Sequence, residues 1–301
     1  MQTKQLTFGD GPLDTMKVWA PDSLKEMRGT LFIVHGLTES IERYKDLARY
    51  MTAHGWTIAG FNVPGHGDSF LTVDGIPRPA YCGGEGSWQT VVDMLDRALH
   101  RVKSEIPEHP VVLLGFSLGS FLARAWLVQQ QGPLPIDRLF LLGTGEQPTW
   151  ILQMVRGIIR RECRHHGEYN STPLVQNIAF GSYNRRIKHA SSPYAWLLTD
   201  PAALAAYEQD KNVCKTITGG LFRELLSCMI YVNTHETTHP CVVPTVFLSG
   251  REDPVGENGK GVRRAAAKFP GASVLLVPGR HDILHDAGCE AVFKLILKHL
   301  S

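Results

Sequence analysis

The sequence carries no excess of either charge: 31 Lys and Arg stand against 29 Asp and Glu in 301 residues, a formal net charge of +2. A nucleic-acid surface needs a basic patch, and no Lys/Arg run here is long enough to make one. The short clusters Arg160, Arg161, Arg164 and Arg185, Arg186, Lys188 read as solvated faces. No stretch reaches the roughly 18 to 20 apolar residues of a membrane helix. The first ten residues, Met1 to Asp10, contain no apolar signal-peptide core, which predicts a soluble protein of the cytoplasm. The six cysteines (Cys82, Cys163, Cys214, Cys228, Cys241, Cys289) are scattered and form no CxxC pair. They read as buried or free thiols and not as a disulfide framework. There is no repeat and no low-complexity tract, and 29 glycines are far too few for a collagen-like chain. An apolar fraction of 43% excludes a disordered one.

What is present is an alternation. Apolar runs recur at Thr30–Val34, Thr57–Phe61, Val111–Leu114, Leu139–Leu142, Thr245–Leu248 and Ser273–Val277. Four or five such residues without polar alternation suit strands covered on both faces, as in a parallel sheet. Between them lie stretches of helical period, with Tyr44, Leu47, Ala48 and Met51 on one face and Val91, Met94, Leu95, Ala98 and Val102 on another. This is the pattern of βαβ units and predicts an α/β fold with a mostly parallel sheet flanked by helices. After Leu142 the alternation stops. From about Gln147 to Val232 the pattern is helical or irregular, with one amphipathic face of Trp150, Ile151, Met154, Val155, Ile158 and Ile159 and another of Leu221, Phe222, Leu225, Leu226 and Met229. The predicted organisation is a core of residues 1–146 and 233–301, with a helical cap, 147–232, inserted late in the chain.

The chemistry concentrates after the third of these runs. Val111–Leu114 leads directly into Gly115-Phe116-Ser117-Leu118-Gly119, and a helical stretch from Ser120 to Gln130 follows. This is G-x-S-x-G in the strand, turn and helix context that it requires. A turn that tight leaves no room for side chains beside the nucleophile, and it lifts the Ser117 hydroxyl out of the sheet edge. The Leu118 amide then sits at a helix N-terminus, where partial positive charge stabilises an oxyanion. A serine needs a base to take its proton and an acid to orient that base, and on this kind of sheet the two follow in the order acid, then histidine. Ser249-Gly250-Arg251-Glu252-Asp253-Pro254 follows the fifth run, and Pro278-Gly279-Arg280-His281-Asp282 follows the last. Asp253 and His281 therefore fall at strand C-termini, where the crevice of an open sheet lies. Glu252 competes as the acid, but Asp253 before Pro254 is better placed for a fixed turn. The first run ends in His35-Gly36-Leu37, which makes the Leu37 amide the second oxyanion donor. His35 and His66 read as structural histidines that brace their loops.

With these segments in place the chain resembles the α/β-hydrolase superfamily, and within it the monoacylglycerol lipase and lysophospholipase group, often classed as serine aminopeptidase-like. The resemblance rests on His35 to Ser40 with Arg43-Tyr44, Gly55-Trp56, Pro64 to Ser69, Gly115 to Gly119, Gly250 to Val255 and Gly279 to His281. It extends to Phe180-Gly181-Ser182-Tyr183-Asn184 and Trp196-Leu197-Leu198-Thr199-Asp200 in the cap. Asn62-Val63-Pro64 stands where the group often carries Asp-x-Arg, a departure in a structural turn. The resemblance implies a serine esterase or lipase with Ser117 as nucleophile, Asp253 as acid and His281 as base. It implies a lipid-like monoester as substrate, a monoacylglycerol or lysophospholipid, with short-chain esters or aminoacyl amides as alternatives. No cofactor or metal is needed, and lipid-surface contact would run through the cap. A hydrolase-fold binding protein would have lost a member of the triad, and this chain keeps all three.

Two patterns compete with this reading. His235-Glu236-Thr237-Thr238-His239 matches the HExxH zinc pattern, which works only on a helix, and Pro240 disfavours helix at His239. Gly83-Gly84-Glu85-Gly86 lacks the lysine and spacing of a phosphate loop and reads as a turn. His285 and Cys289, on an expected helix directly after His281, read as packing residues. The apolar cap faces with Trp150, Met154, Ile158, Phe222 and Leu226 either line an acyl tunnel or pack the cap on the core.

Overall fold

Each of the six apolar runs is a strand of one eight-stranded sheet in the computed structural model, which describes residues 1–23, 27–187, 190–236 and 243–300. The strands are β1 (Gln2–Thr7), β2 (Thr15–Ala20), β3 (Gly29–Val34), β4 (Trp56–Gly60), β7 (Val111–Phe116), β8 (Arg138–Leu142), β9 (Thr245–Gly250) and β10 (Ser273–Val277), with a separate hairpin of β5 (Leu71–Val73) and β6 (Ile76–Arg78). They lie in the order β1-β2-β4-β3-β7-β8-β9-β10. From β4 to β10 every pairing is parallel, while β1 and β2 run antiparallel at one edge.

Side chains along the central strands alternate between two buried faces. Phe32 and Val34 of β3 and Val111 and Leu113 of β7 enter one core, whereas Leu31, Ile33, Val112 and Leu114 enter the other. The first core is closed by α2 (Ser87–Glu105), α3 (Leu118–Gln129) and α9 (Lys260–Ala266), through residues such as Leu95, Trp126 and Val262. The second is closed by α1 (Lys45–Ala53) and α10 (Cys289–Leu300), through Met51 and Ile296. Full burial on both sides is why these strands read as continuous apolar runs.

Between β8 and β9 the chain is helical, with α4 (Thr149–His166), α5 (Pro173–Gln176), α6 (Ser182–Asn184), α7 (Pro201–Gln209) and α8 (Gly219–His235). Three hydrogen-bonded caps fix this insert: Thr172 accepts the Val175 amide, Asp200 the Ala203 amide and Thr218 the Leu221 amide. Arg124 of α3, fully buried, reaches Glu236 just past α8 at 2.7 Å and so ties the end of the insert to the helix behind Ser117.

The structure corrects the sequence reading in several places. Strands β1 and β2 went unseen, because β1 is an exposed polar edge and β2 alternates, with Met16 and Val18 facing one core and Trp19 the other. Helix α3 begins at Leu118, not Ser120. No helix follows His281 directly, and Cys289 is the first residue of α10. The assigned face of α4 holds only in part: Ile159 is buried and Val155 lines the cavity, but Leu152 is the other buried residue, whereas Trp150, Met154 and Ile158 are exposed by 65%, 54% and 41%. Runs of adjacent apolar residues (Trp150-Ile151-Leu152, Met154-Val155 and Ile158-Ile159) obscured which stripe turns inward. The zinc pattern is half visible: α8 ends at His235 and Glu236 belongs to Arg124, while Thr237, Thr238 and His239 lie outside the described residues, as does Cys241.

Candidate active site

Ser117 occupies the single residue between the end of β7 and the start of α3, at φ 50° and ψ −113°. A non-glycine residue in that region costs on the order of 1–3 kcal/mol and persists only where its surroundings enforce it. Here the Ser117 amide donates to the Leu142 carbonyl at 2.9 Å, and the Ser117 carbonyl accepts the Ser120 hydroxyl at 2.6 Å. The flanking glycines are required by close approach. A Cβ on Gly115 would lie 2.5 Å from the Gly119 carbonyl oxygen, and one on Gly119 would lie 2.0 Å from that of Val34.

The turn aims the Ser117 hydroxyl at the histidine that follows β10. Ser117 Oγ lies 2.9 Å from His281 Nε2, and His281 Nδ1 lies 2.9 Å from Asp253 Oδ1. Asp253 is fully buried; its Oδ1 also accepts the Val255 amide at 2.9 Å and its Oδ2 the Ser249 hydroxyl at 3.1 Å. Glu252 points into solvent. With carboxylate on one side, His281 carries its proton on Nδ1 and offers Nε2 as acceptor to the serine hydroxyl. Burial pulls the His281 pKa down, but the charge and hydrogen bond of Asp253, with Asp282 and Glu39 beyond, outweigh it and leave the ring above its ordinary value of 6.5.

Leu118 opens α3, so its N–H is one of those a helix start leaves without an intrahelical partner. Leu37 lies in the loop after β3, and both residues line the cavity that contains Ser117 and His281. The loop of Leu37 is held by Glu39, whose Oε1 accepts the Gly36 amide at 2.6 Å and the Tyr44 hydroxyl at 2.7 Å. Arg43 then bridges Glu39 Oε2 (2.7 Å) and Asp282 Oδ2 (3.0 Å), joining the Leu37 loop to the His281 loop through a buried ion pair network. His285 completes it, between Asp282 Oδ1 at 2.7 Å and the Arg43 carbonyl at 3.0 Å. Burial raises the Asp282 pKa, yet His285 and Arg43 prevail and hold it well below the usual carboxylate range. Glu39, Asp282 and His285 are close enough together to suggest a metal site, but the Arg43 guanidinium already bridges the two carboxylates.

His35 and His66 are braces, fully buried and 5.2 Å apart between ring centres. His35 Nε2 accepts the Val63 amide at 3.0 Å while Nδ1 faces the Gly36 carbonyl at 2.8 Å, so the ring is neutral. Burial pushes its pKa down to about 4 and that of His66 to about 3.

The cavity above Ser117 has a volume of about 170 Å³. Leu152, Val155, Phe222, Leu226 and Met229 of the insert form an apolar wall, and Thr38, Arg43, Tyr207 and Lys215 a polar one. The Thr38 and Tyr207 hydroxyls meet at 3.1 Å. Phe222 and Leu226, named from the sequence, face the cavity; Trp150, Met154 and Ile158 do not. Glu39, Arg43, Asp282 and Trp196 went unrecognised as parts of the site, although the i, i+4 spacing of Glu39 and Arg43 was a usable signal. An alcohol, an imidazole and a buried carboxylate in one hydrogen-bonded line have the arrangement that acyl transfer requires of a nucleophile and its base.

The family model Hydrolase_4 (Serine aminopeptidase, S33) matches residues 25–288. No curated protein matches the sequence. Among solved structures, a thermostable carboxyl esterase from Bacillus coagulans in complex with glycerol superposes with a TM-score of 0.83 at 19% identity, covering 100% of both chains. The monoacylglycerol lipase of Paleococcus ferrophilus gives 0.66 at 19% identity, covering 100% of this chain and 98% of the other. A soluble variant of monoglyceride lipase from Saccharomyces cerevisiae, in complex with a substrate analog, gives 0.70 at 15%, covering 95% and 91%. At such identities the likeness speaks for the fold.

Proposed function

Because this chain belongs to the serine aminopeptidase family of α/β-hydrolases, a serine hydrolase fold of the esterase and lipase kind, we propose that it cleaves carboxylic esters with Ser117 as nucleophile, His281 as base and Asp253 as the acid that orients it. The observation that carries the reading is the unbroken line of hydrogen bonds from Asp253 through His281 to Ser117 at the floor of an apolar cavity. His281 Nε2 takes the Ser117 proton as Oγ bonds to the ester carbonyl carbon, and the carbonyl electrons move to the oxygen facing the Leu37 and Leu118 amides. Collapse of that adduct expels the alcohol, which takes the proton from His281. Water then adds to the acyl-enzyme with His281 again as base, releasing the acid and restoring Ser117.

The apolar wall supplied by the insert supports a lipid-like monoester. A series of p-nitrophenyl esters from acetate to palmitate, with a monoacylglycerol, a lysophospholipid and aminoacyl-arylamides, tests this. We expect kcat/KM to rise into the medium or long chains. A maximum at acetate identifies a short-chain carboxylesterase, and faster turnover of the arylamides an aminopeptidase; either overturns the lipid reading.

The outer face of α4 supports transient contact with a lipid surface. Trp150, Met154 and Ile158 are exposed at four-residue spacing, and Arg161 and Arg164 continue on the same side of the helix. An apolar stripe followed by cations fits an anionic bilayer, whereas a second copy of the chain would meet it with like charge. Flotation with phosphatidylglycerol vesicles should carry the protein and fail for Trp150→Ser; equal flotation of both, or none of the parent, overturns it.

A further inference from the structure

The insert meets the His281 loop along one segment, residues 195–200. Arg280 Nη1 donates to the carbonyls of Ala195 at 2.7 Å and Leu198 at 2.9 Å. The Asp282 amide donates to the Leu197 carbonyl at 2.9 Å. The Asp286 carboxylate accepts the Thr199 amide at 2.8 Å, the Thr199 hydroxyl at 2.6 Å and the Asp200 amide at 2.9 Å. These bonds tie the segment to the loop on both sides of His281.

The clamp places Trp196 on the base. The indole lies 5.2 Å from the His281 ring centre at an interplanar angle of 38°, and Phe116, the residue before Ser117, packs on the same imidazole at 5.1 Å and 36°. Trp196 is 6% exposed, stacks on Phe180 at 5.8 Å and packs at a tilt of 43° on Tyr183 at 5.1 Å. Its Nε1–H meets no acceptor among the described residues. Ring faces and the backbone clamp, rather than the indole N–H, therefore set where it sits. A cation over the face of an indole, within about 6 Å of the ring centroid, is attracted by the ring quadrupole, and more strongly where water is excluded.

We propose that Trp196, a residue of the insert, is a positioning residue for His281: its π face stabilises the imidazolium formed when the ring takes the Ser117 proton and keeps the ring in line with Ser117 and Asp253. The proposal rests on the ester-hydrolase reading above. It makes residues 195–200 part of the catalytic centre, as distinct from the walls that the rest of the insert supplies. The charged and titratable groups around the ring are Asp253 after β9, Asp282 beside it in sequence and Glu39 after β3, with Tyr183 of the insert packed on the indole itself.

The test compares Trp196→Leu, which keeps an apolar cover but removes the π face, with Trp196→Phe, which retains one. His281 is titrated by NMR of its imidazole nitrogens in the full chain, and kcat and KM are measured on a p-nitrophenyl ester. The Leu variant is expected to lower the His281 pKa by about 0.4 to 1.5 units. Its kcat should fall about 2- to 30-fold with KM little changed. The Phe variant should recover most of both. An unchanged or raised pKa in the Leu variant, or a loss confined to KM, overturns the proposal. Should the Leu variant not fold, phenylalanine and pentafluorophenylalanine placed at position 196 make the same comparison at nearly constant shape, and equal pKa values overturn it. The NMR titration reads out even if no ester is turned over, so failure of the ester reading and failure of this proposal are told apart.

Discussion

Replacing Asp253 by asparagine removes one charge and leaves the shape of the site nearly intact. The amide oxygen can occupy the Oδ1 position and accept both the His281 and Val255 N–H groups, each now at 2.9 Å. The amide nitrogen then faces the Ser249 hydroxyl, which lies 3.1 Å from Oδ2 and can turn to accept. What is lost is the attraction between Asp253 and the imidazolium on His281. Opposite unit charges about 4 Å apart in an effective dielectric of about 20 attract by about 4 kcal/mol. At about 1.36 kcal/mol per decade this is about a thousandfold in kcat/KM. If the amide settles the other way round, its NH₂ forces the wrong histidine tautomer and the loss approaches about ten-thousandfold. The assay is p-nitrophenyl ester hydrolysis, with thermal unfolding run alongside to confirm the fold. Glu252→Gln is the control, because Glu252 is exposed and should leave the rate near that of the parent. An Asp253→Asn enzyme within tenfold of the parent, or a Glu252→Gln enzyme that loses as much, would refute the assignment of the acid.

Further outcomes follow from the same geometry. Gly119→Ala sets a methyl 2.0 Å from the Val34 carbonyl oxygen, a backbone collision, so chemical denaturation should show a loss of more than about 3 kcal/mol; a loss under about 1 kcal/mol would contradict the packing. Since His281 must be neutral to act as base and its pKa stands above 6.5, the acid limb of kcat/KM should have its midpoint above pH 6.5, and a midpoint below that value contradicts the electrostatics. His35, with its pKa depressed to about 4, contributes stability that is complete above pH 6.5 and drains away as pH falls toward 4. At about 1.36 kcal/mol per unit this amounts to about 3 kcal/mol, so His35→Gln should flatten the urea-stability profile in that window, and identical slopes would refute it.

The sheet was legible because its strands are covered on both sides and advertise themselves as apolar runs. Ser117, Asp253 and His281 were legible because each sits where a loop leaves a strand, and chain order supplied the rest. Residues whose role depends on contact between distant segments were not. Trp196 and His281 are separated by α7, α8, β9, α9 and β10, and no periodicity links them. The inward stripe of α4 was read too broadly and without Leu152, because Trp150, Met154 and Ile158 are as apolar as Val155 and Ile159, and only tertiary packing separates them. The edge strand β1 carries too few apolar residues to stand out from a loop.

The most direct test of the whole account is covalent labelling of the native chain with a fluorophosphonate, followed by peptide mass spectrometry and parallel measurement of ester hydrolysis. The account predicts a single adduct on Ser117, activity lost in step with labelling, and neither label nor hydrolysis above background in a folded Ser117→Ala protein. An adduct on another residue, or a Ser117→Ala protein that hydrolyses esters at the parental rate, would contradict it.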